Sequence, residues 1–310
     1  MLEFDLKDES VWYTECIRPN FYVYWSLGNV CTYHCSYCPS RFHDGSVNYQ
    51  PLEAIRRAID KLSNLPMETH IKFTGGEATY HPDFERIISE SPDNIKFSVL
   101  SNGSRPLPFW ERVVDKLFTI TLTYHSEFAN LDRFMTIAKL IYTDKKKKGL
   151  INLTMIPEKW DECVNVYNVM KENNLPVNIK PLLENFGSKT QRMLTSYTQE
   201  HITWIKEKTN TSTYKPIGIY NKDGVKINST SPSELLALNK TNFNGWTCYN
   251  PTKCLDIDWH GDVYDSSCAQ RRKAGSIYTD FVIATEPVLC VSQYCWCHSD
   301  LETKKVKNPS

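Results

Sequence analysis

From residue 21 to about residue 208, short runs of β-branched and aromatic residues alternate with longer stretches whose apolar positions recur every three or four residues. Phe21–Ser26 has the composition of a strand, and Leu52, Ile55, Ile59 and Leu62 then fall on one helical face. The same alternation predicts strands at His70–Phe73, Ile95–Leu100, Phe118–Thr123, Ile151–Met155 and Val177–Lys180. Helices are predicted between and after them at Pro82–Glu90, Pro108–Lys116, Leu131–Tyr142, Glu158–Asn173 and Thr198–Lys208. Pro82, Pro108 and Pro157 stand at helix starts, where a missing N–H costs nothing. Strand–helix repetition of this kind builds a parallel sheet with right-handed crossovers. Six such units predict an α/β fold, an open or partial barrel rather than the closed eightfold one.

Beyond the barrel units the pattern stops. Residues 209–245 are rich in Asn, Ser, Thr and Lys and are expected to form a linker or irregular extension. Residues 246–310 form a short Cys- and Trp-rich region, in which Leu255–Tyr264 alternates around His260-Gly261-Asp262 as a hairpin would. The division expected is therefore an N-terminal extension over 1–20, the barrel over 21–208, the linker, and a small C-terminal module organised by metal.

The chain has 310 residues, 41% of them hydrophobic and 23% charged, a globular composition. Lys plus Arg and Asp plus Glu each total 36, so the formal net charge is zero. That balance argues against a dedicated binder of duplex nucleic acid. Lys145–Lys148 reads as a solvated helix end. No run approaches the ~18 apolar residues of a membrane span. The acidic start, Met1 to Glu9, is unlike a secretory signal, so a cytoplasmic setting with reduced thiols is expected. The eleven cysteines are unevenly placed, with three between Cys31 and Cys38 and six between Cys248 and Cys297. Cys16 and Cys163 stand alone and read as inert thiols.

Cys31, Cys35 and Cys38 follow the first predicted strand, at the end of an α/β sheet where ligands bind. Three thiolates with gaps of three and two residues can hold three corners of a 4Fe–4S cluster and leave one iron open for chemistry. Structural zinc is the alternative, and it requires a fourth ligand such as His34. Two further motifs accompany the triad: Gly75-Gly76-Glu77 ends the second predicted strand, and Ser101-Asn102-Gly103 ends the third.

These three ordered motifs, with Tyr37 before the last cysteine, resemble the signature of the radical S-adenosylmethionine superfamily over residues 21 to about 183. The resemblance implies a partial (β/α)6 barrel and reductive cleavage of S-adenosylmethionine bound to the cluster. It implies an electron donor such as flavodoxin or ferredoxin. Gly75 and Gly76 are then expected to let the backbone approach the cofactor's methionyl group, and Glu77 to accept from its ammonium or a ribose hydroxyl. Ser101 and Asn102 are expected at the ribose or carboxylate, and Tyr37 beside the cluster and adenine. Without the family pattern, the same residues read as tight turns. His125 in Tyr124–Glu127 faces either the mouth or its own loop, and Lys180 and Glu184 are weaker candidates for substrate contact.

The C-terminal cysteines resemble the twitch-type auxiliary-cluster domain, a shorter relative of the SPASM domain. Cys268, Cys290, Cys295 and Cys297 are the first choice of ligands, Cys248 the substitute, and Cys254 a core residue; structural zinc is the alternative. The reading is an enzyme acting on a peptide or small metabolite, with the auxiliary cluster aiding oxidation or bond formation. Little chain precedes Phe21, so a peptide partner is expected to be recognised without a separate leader-binding domain. The competing readings are an activase that installs a glycyl radical on a partner protein and, in a different class, a non-catalytic iron–sulfur or zinc module.

Overall fold

Phe21, Val23 and Trp25 are buried on one side of their strand, while Tyr22, Tyr24 and Ser26 face the other. Period-two alternation of this kind creates the two layers of the molecule. The computed structural model describes residues 13–16, 20–185, 192–209, 217–237, 240–268, 270–295 and 297–308.

In chain order the first half comprises β1 (Tyr13–Cys16), β2 (Phe21–Ser26), α1 (Leu52–Ser63), β3 (Thr69–Thr74), α2 (Phe84–Ser89), β4 (Ile95–Ser101), α3 (Leu107–Val113), β5 (Thr119–Tyr124), α4 (Leu131–Ala138), β6 (Lys148–Met155), α5 (Trp160–Glu172) and β7 (Val177–Pro181). There follow β8 (Leu183–Glu184), β9 (Arg192–Met193), α6 (Gln199–Thr209), β10 (Ile217–Tyr220), β11 (Lys226–Thr230), α7 (Pro232–Ala237), β12 (Trp246–Cys248), β13 (Cys254–Ile257), β14 (Asp262–Tyr264), β15 (Lys273–Ser276), β16 (Val288–Leu289), α8 (His298–Leu301) and β17 (Lys305–Lys307).

Strands β2 to β7 pair in sequence order and all in parallel, as the six repeated units predict. One face of this sheet carries Ile71, Phe73, Phe97, Val99, Ile120, Leu122, Ile151 and Leu153, all buried against the helices in one core. α1 contributes Ala54, Ile55, Ala58, Ile59 and Leu62, the stripe its periodicity predicts. Each such large side chain stabilises the fold by roughly 1.5–3 kcal/mol. The helix predicted over Leu131–Tyr142 is α-helical only to Ala138 and continues as a wider π turn over Lys139–Asp144.

Two boundaries depart from expectation. The hairpin β13–β14 joins the barrel sheet, with β13 parallel to β2 and the order running β15-β14-β13-β2 to β7. Buried Gln50 fastens it, donating to the carbonyls of Ser26 at 3.0 Å and Asp258 at 2.8 Å while accepting from Trp25 Nε1 at 2.7 Å. The stretch expected as a linker carries the antiparallel pair β10–β11. That pair joins a six-stranded sheet, ordered β11-β10-β1-β17-β12-β16, with the N-terminal strand β1. Its turn is set by Asn221, whose Oδ1 accepts from the amides of Asp223 and Val225. Residues that make such a turn also disguise its flanking strands as loop.

Candidate functional site

The loop after β2 carries the cysteine triad. Buried Asn29 holds it closed, donating to Asp44 Oδ1 at 2.8 Å, Ser46 Oγ at 3.0 Å and the Arg41 carbonyl at 3.1 Å, and accepting from the Val47 amide. Cys35 is buried, and Cys31 and Cys38 are half-buried. Cys31 Sγ meets two donors, the Tyr33 amide at 3.4 Å and Asn102 Nδ2 at 3.9 Å. Burial pushes the Cys31 and Cys35 thiols up to about 11 and raises Cys38. At neutral pH, a metal therefore takes these ligands by displacing protons. N–H donors aimed at sulfur are what a cluster-bound thiolate requires, so the donor set fits an iron–sulfur centre.

Gly75 and Gly76 end β3 with φ of +81° and +45°. A Cβ on Gly75 would lie 2.6 Å from Ser26 Cβ, and one on Gly76 2.2 Å from the Val30 carbonyl oxygen. The glycines therefore make room for the chain's own triad loop, a reason distinct from the cofactor approach expected of them. The Glu77 amide continues the contact, donating to Val30 at 2.8 Å.

Glu77 is bonded within the chain. Its buried carboxylate already accepts from Thr79 N at 3.2 Å, Thr79 Oγ1 at 2.6 Å, Ser101 Oγ at 2.9 Å and Asn102 N at 2.7 Å. Burial raises its pKa against the pull of these bonds. Glu77 thus knits the ends of β3 and β4 together. Ser101 serves the same knot, its Oγ also accepting from the Gly103 amide at 3.1 Å. Asn102 reaches the triad loop through Thr32 Oγ1 at 3.2 Å as well as through Cys31.

The loop after β5 carries His125 and Glu127. His125 Nδ1 lies 2.6 Å from the Tyr37 hydroxyl, whose phenol also interacts with the Cys35 thiol and the Thr154 hydroxyl. Burial lowers His125 to about 4. Glu127 accepts from the Ser36 amide at 2.7 Å and from the Ser36 hydroxyl. Glu127 and Thr154 escaped sequence reasoning because no motif marks them; their position just after or near a strand end was the available signal. Glu184, a candidate for substrate contact, accepts from Thr195 N and Oγ1, both at 3.1 Å. Lys180 lies on β7 opposite Thr154 of β6. Cys163 is fully buried in α5, as an inert thiol would be.

The C-terminal cysteines divide. Cys248, Cys290 and Cys295 share a buried cluster with Phe243, Trp246 and Leu301. Cys248 interacts electrostatically with Cys290, Cys268 and Cys295, and Cys295 with Cys297. Cys254 lies elsewhere, on the barrel strand β13. Beside the thiols stand two residues that the sequence did not single out. Lys305, buried, donates to the carbonyls of Asp300 and Thr303. Asp300 accepts on Oδ1 from Asn250 at 2.6 Å, and its buried Oδ2 has no hydrogen-bond partner among the described residues. Among those residues, no three Cys, His, Asp or Glu side chains converge on a single metal-ion position. Among the described residues, no helix is long and apolar enough to cross a membrane.

The fold and this site define a partial α/β barrel with a three-cysteine loop at its strand ends. Residues 25–174 match the model of the Radical SAM superfamily. Members hold a 4Fe–4S cluster and S-adenosylmethionine. GTP 3′,8-cyclase of Klebsiella pneumoniae (strain 342) is 34% identical over 95 residues, 28% of this chain and 29% of the relative. L-lysine 2,3-aminomutase of Clostridium subterminale is 28% identical over 108 residues, 34% of this chain and 26% of the relative. The chain thus spans under a third of the curated relatives it matches. Among solved structures, native anSMEcpe with bound AdoMet and Cp18Cys peptide gives a TM-score of 0.58 at 14% identity, covering 85% of this chain and 79% of that one. Streptococcus suis SuiB bound to precursor peptide SuiA gives 0.56 at 14%, covering 85% and 64%. At these identities the likeness is one of fold.

Proposed function

We propose that the chain is a radical S-adenosylmethionine enzyme, that Cys31, Cys35 and Cys38 hold the catalytic cluster, and that a peptide or small metabolite reacts inside the barrel. The observation that carries this is the convergence of three strand ends on one loop: Asn102 bonds Thr32 and Cys31, Glu77 bonds Ser101 and Asn102, and Tyr37 bonds His125. When bound, the cluster and cofactor supply one-electron cleavage of a carbon–sulfur bond and a carbon radical that takes a hydrogen atom from the substrate.

The chain's own residues set the conditions for that chemistry. Asn29, Glu77 and Glu127 fix the triad loop from three sides. Asn102 and the Tyr33 amide donate to Cys31 and favour its anionic form. Tyr37 and the neutral His125 wall the loop from the barrel and exclude water. Peptide binding in two of the similar folds supports a peptide as one substrate class.

A second cluster in the C-terminal region is part of the same reading. Cys248 joins Cys268, Cys290, Cys295 and Cys297 as a candidate ligand, because it interacts with three of them. Anaerobic reconstitution with iron and sulfide, followed by dithionite and S-adenosylmethionine, tests the whole reading. Formation of 5′-deoxyadenosine and methionine is expected; a protein that binds iron without forming either is not this enzyme.

A further inference from the structure

A cavity of about 240 Å³ lies beside the triad loop, and its lining includes Tyr33, Tyr80, Ser104, Phe128, Arg133 and Phe134. Ser104 and Phe134 are buried and form its deep end. Ser104 Oγ lies 2.8 Å from Oγ1 of Thr32, the residue after Cys31, so the floor of the cavity is bonded to the triad loop itself. Arg133 reaches across to the same floor and donates to the Ser104 carbonyl.

The rim joins two loops that are far apart in sequence. The rings of Tyr33 and Phe128 stack with centroids 5.4 Å apart and planes at 19°. Tyr33 also meets the His125 ring edge-on at 6.1 Å. Phe128 is 47% exposed, so beyond this stack its ring lies in water. The backbone behind each ring is pinned. The amides of Phe128 and Ala129 donate to the His125 carbonyl at 3.0 and 2.8 Å, and the Tyr33 amide donates to Cys31 Sγ at 3.4 Å. What can move is therefore the Phe128 side chain, by the fast rotamer changes of an exposed residue. Stacking of two rings favours the closed pair over the parted one by only about two- to tenfold.

We propose that Phe128 is a gate on this cavity: its ring swings off Tyr33 to admit one end of S-adenosylmethionine and returns to cover it. This rests on the radical enzyme proposed above, which places the cofactor beside Cys31. Closed, the pair keeps water from the bound cofactor. A gate differs in its kinetics from a contact. Because it is shut over both the empty and the filled cavity, it slows entry and exit by the same factor and leaves affinity unchanged. A side chain that only touches the ligand acts on dissociation alone.

The test uses the reconstituted holoenzyme without reductant. Rapid filtration with radiolabelled S-adenosylmethionine gives the association and dissociation rate constants, and calorimetry gives the affinity. In Phe128→Ala both rate constants should rise about threefold or more, with affinity changed less than about twofold. Phe128→Tyr keeps the stacking ring and should keep the wild-type rates. Iron content and circular dichroism of both variants should match wild type, since the side chain is exposed and remote from the core. An unchanged association rate overturns the proposal, and so does faster dissociation alone, which would make Phe128 a contact. Wild-type protein that takes up iron yet binds no S-adenosylmethionine overturns the radical reading and the gate with it. Wild-type binding with rates unmoved in Phe128→Ala overturns the gate alone.

Discussion

The Tyr37 hydroxyl and Nδ1 of His125 lie 2.6 Å apart, and their rings stack with centroids at 6.0 Å. This pair joins the triad loop to the end of β5 across 88 residues of sequence. Because burial keeps the imidazole neutral and also raises the phenol, the bond is between uncharged groups and is indifferent to pH near neutrality.

Tyr37→Phe removes that bond and the contact with Cys35 while keeping the ring. Loss of a group that orients a metal ligand typically costs about 10–100-fold in activity or metal affinity. The variant is expected to bind iron and to form 5′-deoxyadenosine at a rate reduced within that range. An unchanged rate would make Tyr37 a packing residue only.

Gly76→Ala places a methyl group against the Val30 carbonyl in a left-handed conformation. Strain and clash together should cost about 2 kcal/mol or more. The iron-free variant should therefore melt about 3 °C lower or more. A melting temperature equal to wild type would show that the loop before Cys31 moves freely, contrary to its bonding.

Two clusters predict about eight irons per chain after reconstitution. Replacing Cys31, Cys35 and Cys38 together by Ala should leave about four irons and abolish 5′-deoxyadenosine. Replacing Cys295 and Cys297 by Ala should also leave about four, with 5′-deoxyadenosine still formed. Zinc in place of iron after the triad is removed would turn the C-terminal centre into a structural one. Circular dichroism of the double variant separates lost metal from lost fold, since ligation and folding are coupled.

Asp256 is raised by burial to about 7 from its ordinary 3.8, against the lowering effect of Arg271. A carboxyl raised on folding holds its proton longer in the native state than in the unfolded one. Stability should therefore be fullest near pH 4 and fall as pH rises toward about 7, by at most about 4 kcal/mol. Urea titrations of iron-free protein at pH 4.5 and 7.5 measure the slope. Asp256→Asn should flatten it; an identical slope in the variant would assign the pH dependence to other groups.

The repeated units were legible because each strand and helix buries one face, and burial writes a period into local sequence. Leu52, Ile55, Ile59 and Leu62 marked α1, and the three motifs marked the strand ends that meet at the triad. The strands β10 and β11 were not legible. They are short, partly exposed and joined by an Asn-Lys-Asp-Gly turn, so their composition is that of a loop.

The amino-acid sequence by itself determined the class of fold, the order of the six barrel strands and the identity of the triad loop, because periodicity and motif spacing are local properties. Tertiary structure alone decided the partners. Glu77 is satisfied by Ser101, Asn102 and Thr79; Glu127 reaches back to Ser36; the hairpin of β13 and β14 seats beside β2. Each of these except Thr79 depends on the curvature of the sheet or on a crossover that brings distant segments together. Such contacts have no period to read, because what selects them is the closure of the barrel and the requirement that every buried polar group find a partner.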